Sequence, residues 1–108
     1  MQTSQIREEF AGIKQRIDNA TTACQISNAV PDELRECLGE LGRESDQARQ
    51  VIEVENNENR IRQYVDRLEK LGDRAMHACR QDTNVDPQVA DVVREAHDAI
   101  SSLKHRLH

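Results

Sequence analysis

Three features of the 108-residue chain predict an all-α protein, an antiparallel up-down-up-down four-helix bundle. Apolar residues recur at alternating steps of four and three in four separate stretches, strand-like alternation is not found, and turn-forming residues fall between the stretches. The length allows one domain, residues 1–108.

The first stretch is Ile6, Phe10, Ile13, Ile17, Ala20 and Cys24, opened by Thr3 or Ser4, whose hydroxyls suit a helix N-cap. The second is Leu34, Leu38, Leu41, Ser45, Ala48 and Ile52. It follows Pro31-Asp32-Glu33, where two acids meet the positive end of the helix dipole. Gly39 and Gly42 each cost about 1 kcal/mol against Ala inside a helix, so helix two is the one expected to bend or break. The third stretch is Ile61, Val65, Leu68, Gly72, Ala75 and Cys79. Before it, the polar run Glu55-Asn56-Asn57-Glu58-Asn59 holds three asparagines, which favour turns and caps. The fourth is Val89, Val93, Ala96, Ile100, Leu103 and Leu107. It begins at Asp86-Pro87, a cap followed by a proline that suits the first helical position, with Val85 placed to staple onto the first turn.

Each stretch makes a helix of about 20–25 residues, roughly 30–37 Å long. Stacked antiparallel, they form six layers. The first three are Cys24/Leu34/Cys79/Val89, Ala20/Leu38/Ala75/Val93 and Ile17/Leu41/Gly72/Ala96. The others are Ile13/Ser45/Leu68/Ile100, Phe10/Ala48/Val65/Leu103 and Ile6/Ile52/Ile61/Leu107. Large and small residues alternate within most layers, as close packing requires. The alternative keeps the Asn-rich stretch helical, because Val51, Val54, Glu58, Ile61 and Val65 also fall at steps of three and four. Helices two and three then fuse into one long helix in a swapped dimer.

Charge narrows the function classes. The chain carries 15 basic and 20 acidic residues, net -5. Residues 32–56 hold three basic and eight acidic groups, net -5, and residues 57–81 hold six basic and four acidic, net +2. The two segments are expected to neutralise each other inside the fold. An acidic chain without a basic cluster makes a poor nucleic-acid binder, so nucleic acid is not an expected partner. A membrane is not one either, since no apolar run nears the roughly 20 residues of a span. The first ten residues lack the basic start and apolar stretch of a signal peptide, and a cytoplasmic location is expected. The odd cysteine count and the lack of a CxxC pair argue against a disulfide framework.

Cys24 and Cys79 share the first layer and Cys37 flanks it, so Cys24, Cys37 and Cys79 are the candidates for a metal or thiol-redox site. No ligand spacing supports that reading, and buried reduced cysteines filling space is preferred. No metal or other cofactor is expected. Of the histidines, His77 and His105 are expected to face outward and His97 to lie on a flank; His108 is terminal. The residues three before these four are Arg74, Ser102, Arg94 and His105, so the Glu-x-x-His of a di-iron bundle is absent. Histidine-phosphotransfer domains place a basic residue three after the histidine and a glycine four after it. His77-Ala78-Cys79-Arg80-Gln81 has the base and lacks the glycine, and His97-Asp98-Ala99-Ile100-Ser101 has neither, so this alternative rests on little. The glycines all lie inside helical patterns, where they suit close helix packing and make no phosphate-cradling loop.

Tyr64, Leu71 and Ala78 share one heptad position beside the seam of helix three, Val51 and Val54 flank helix two, and Val92 and Ala99 flank helix four. They either widen the core or cover a partner. The expected function is a non-enzymatic helical protein-interaction or self-association domain, its partner itself as a homodimer or another helical protein. Its candidate contacts are Val51, Val54, Tyr64, Leu71 and Val92, positions that a monomeric core leaves half exposed.

Overall fold

The computed structural model describes residues 3–27, 30–55, 57–81 and 85–107. They form four helices, α1 (Thr3–Ile26), α2 (Asp32–Gln50), α3 (Glu58–Gln81) and α4 (Pro87–Leu107), with a π-helical turn, Val51–Glu55, continuing α2. The Thr3 side chain, Asn56 and His108 lie outside the described residues.

Neighbouring helices are antiparallel, as the hydrogen bonds and ion pairs between them show. Arg7 reaches the Glu53 carbonyl and Lys14 reaches Asp46, so the start of α1 meets the end of α2. Arg74 pairs with Glu40 and Arg67 with Glu44 across α2 and α3. His97 meets Asp73 and Lys104 meets Glu69 across α3 and α4. Arg106 of α4 pairs with Glu9 of α1 and closes the ring. The diagonal pairs, α1 with α3 and α2 with α4, bring no Cα atoms within 8 Å of each other among the described residues. The result is an up-down-up-down bundle with extents of 41 × 22 × 17 Å.

The helix starts follow local chemistry. Pro31 occupies the N-cap of α2 in an extended conformation, and its carbonyl accepts from the Leu34 and Arg35 amides at 3.1 and 3.2 Å. Asn57 caps α3: its side-chain oxygen accepts from the Arg60 amide at 3.2 Å. Asp86 caps α4 through the Gln88 amide at 2.9 Å, and Val85 beside it is buried in the core. Gly39 and Gly42 do not break α2, which runs helical through both. The packing of helices on both sides outweighs the propensity cost of two glycines.

The positions expected to form the six layers make up the core of the bundle. Every layer position is buried except Cys79, which is half-buried. Cys37, Val51, Leu71, Ala78 and Val85 are buried in addition, so the core is wider than two positions per heptad. Ser45 is the one buried polar residue among those described; its hydroxyl donates to the Gly42 carbonyl one turn earlier at 2.8 Å and so needs no partner from another helix.

Candidate functional site

The groups able to do chemistry are largely occupied in holding the bundle together. His97 is held at both ring nitrogens, Nε2 2.6 Å from Asp73 Oδ1 and Nδ1 3.3 Å from Asp98 Oδ1. The two nitrogens point apart, so the carboxylates do not converge on a common point, and neither nitrogen faces open space as a general base would need. His77 and His105 are exposed on the helix surfaces, as their register implies. His77 lies one turn from the end of α3.

The three thiols are free: Cys24 and Cys37 buried, Cys79 half-buried. Burial pushes all three thiol pKa values up, and the charge on Cys24 raises Cys79 further, so these two share one end of the core. They do not share it closely enough for a disulfide. Cys24 lies on α1 and Cys79 on α3, whose Cα atoms stay beyond 8 Å, whereas a disulfide needs about 4.4–6.8 Å. Among the described residues no three His, Cys, Asp or Glu side chains are grouped to hold a metal ion.

The surface has more to say. On the face made by α2 and α3, Arg60, Arg67 and Arg74 stand one heptad apart and pair with Glu55, Glu44 and Glu40. The acidic and basic segments thus neutralise each other within the fold. The Arg67 guanidinium also lies 5.0 Å from the centre of the Tyr64 ring, within cation–π range. Four of the five expected contact residues gather on this face. Val51, Val54 and Tyr64 line a groove of about 550 Å³ with Gln47, Gln50 and Arg60. Leu71 lies in the adjoining one.

Their exposures differ from the uniform half-exposure expected at flank positions. Tyr64 and Val92 are half-buried against the core. Val51 and Leu71 are buried at 5% and 9% exposure, because the contact between α2 and α3 itself closes over them. Val54 is 80% exposed. The π-helical turn explains Val54: a wider turn advances fewer degrees per residue than an α-helix, so a side chain that belongs on the flank lags round to the side away from the core.

Val92 belongs elsewhere. It lines a groove of about 580 Å³ between the second half of α1 and the first half of α4, together with Asn19, Thr22, Ala23, Ile26 and Val89. Ile26 stands at its edge, 77% exposed. This groove is absent from the sequence-based site, which singled out Val92 alone. The available signal was Ile26 itself, an aliphatic residue two positions past Cys24 and out of phase with the four-three repeat.

No helix among the described residues is long and apolar enough to cross a membrane. No family model, no curated protein and no solved structure matches this chain.

Proposed function

We propose that this chain is a non-enzymatic helical interaction domain that associates with a second copy of itself. The observation that carries this reading is the placement of two large aliphatic side chains, Ile26 and Val54, at 77% and 80% exposure, each beside a surface groove. In a chain whose residues are 32% charged, such side chains gain by being covered. A bundle of this size also has a small core, and association adds to the apolar surface it can bury. The chemistry of the site agrees: charged groups are spent on ion pairs between helices, and the polar contacts of His97 are satisfied within the chain. Three free cysteines suit the reducing cytoplasm.

Light scattering coupled to size exclusion tests the reading. A particle of twice the 12.4 kDa chain mass is expected. A monomer that persists as concentration rises would remove self-association.

A further inference from the structure

Resting on that self-association, we infer that the joining surface is the α1–α4 groove, closed by a two-fold axis that seats Ile26 of each copy in the groove of the other. Three observations lead there. The first is shape. One patch holds both a projecting aliphatic side chain, Ile26, and a concave apolar floor, formed by Ala23, Val89 and Val92. A patch that carries its own knob and its own hole is what an isologous interface requires, because the two-fold axis presents each feature to its counterpart.

The second is charge. The lining of this groove has a single charged residue, Asp86, and that carboxylate already caps α4 through the Gln88 amide. On the α2–α3 face, by contrast, the groove beside Leu71 is lined by Glu40, Arg43, Glu44, Arg67 and Lys70. Two copies of a chain with net charge -5 meet with less desolvation of charged groups at a groove lined by one carboxylate than at a groove lined by five charged side chains. Depletion of charge at the centre is also the compositional mark of a protein interface.

The third is rigidity. Most of the groove wall is regular helix, Asn19 to Ile26 on α1 and Gln88 to Val92 on α4, with Ser27 and Asp86 just outside the helix ends, and the floor residue Val89 is 1% exposed and locked in the core. The receiving surface is therefore preformed and loses little freedom on binding. Asn19, Thr22 and Gln88 around the rim can exchange hydrogen bonds with the facing copy without an unpaired charge.

The test compares the wild-type chain with Ile26→Glu, Thr22→Arg and Val54→Glu by light scattering across a concentration series, with circular dichroism as the check on folding. All three positions are exposed, so each variant is expected to keep its helix content. A dimeric wild type, monomeric Ile26→Glu and Thr22→Arg, and dimeric Val54→Glu support the assignment. A dimer that survives both α1 changes and is lost in Val54→Glu overturns it and leaves self-association standing, moved to the α2–α3 face. A monomeric wild type overturns both. Should an α1 variant lose helix content, Thr22→Cys replaces it: oxidation is expected to link two copies of this variant and not two copies of Asp46→Cys, on α2 and outside the groove, and equal linking of both overturns the assignment.

Discussion

Nε2 of His97 on α4 lies 2.6 Å from Oδ1 of Asp73 on α3, and the same imidazole ring rests over Gly72. Gly72 is the one glycine here that admits a neighbouring helix. A Cβ built on Gly12 or Gly39 meets an arginine of its own helix, one on Gly42 meets nothing within 4 Å, and one on Gly72 meets His97 Cδ2 at 3.4 Å. Close helix packing, expected from sequence for all four glycines, is therefore real at one of them.

That difference sets opposite outcomes for two substitutions. Gly42→Ala fills open space and recovers helix propensity, so it is expected to stabilise the fold by roughly 0.5–1 kcal/mol. Gly72→Leu must push His97 away from Asp73 and is expected to cost about 1–3 kcal/mol. Urea unfolding of both variants against the wild type measures the contrast; equal effects would mean that His97 does not hold α4 at this point.

The caps of α3 and α4 are separable contributions. Asn57→Ala removes the acceptor for the Arg60 amide, and Asp86→Ala the acceptor for the Gln88 amide. Each is expected to lower stability by about 1 kcal/mol. Asn57→Asp keeps an acceptor and should retain the wild-type midpoint in the same unfolding measurement at neutral pH.

Asp46 predicts behaviour in acid. The hydrogen bond from Lys14 holds its carboxyl below the ordinary value of 3.8. A carboxylate whose pKa is lower in the folded state binds fewer protons there than in the unfolded chain. Its contribution is present above 3.8 and is lost as pH falls through the lower folded value. Asp46 is 62% exposed, so the pair is worth at most about 0.2–1 kcal/mol and weakens with salt. A double-mutant cycle of Lys14→Ala and Asp46→Ala should show that coupling at pH 6 and a declining coupling as pH falls below 3.8.

The cysteines predict the opposite limb. Burial holds all three thiols protonated above the ordinary value of 9.0. The unfolded chain loses these protons first, so their contribution is complete below pH 9.0 and declines as pH rises towards the raised folded values. A thiol reagent at pH 8 should react first with half-buried Cys79 and last with Cys37, which is 1% exposed. Rapid labelling of Cys37 in the folded chain would mean that the end of the bundle opens.

The amino-acid sequence by itself determined the four helices, their antiparallel order and the layers, from Ile6/Ile52/Ile61/Leu107 at one end to Cys24/Cys79 at the other. Apolar spacing repeats over six positions per helix, and each core contact is a periodic consequence of it. Asp86-Pro87 was legible because a cap acts within one turn of its own residue; the run 55–59 showed three asparagines suited to capping, and the structure picks out Asn57. Only the tertiary structure decided what is left uncovered. Whether Val51 and Leu71 are closed over while Val54 projects depends on a single π-helical turn and on how nearly α2 approaches α3. That Ile26 stands beside a groove with a single charged lining residue depends on α4 packing against α1 as its second neighbour. Periodicity names the face of one helix that turns inward; a surface is made by two helices together, and its shape is a property of their packing.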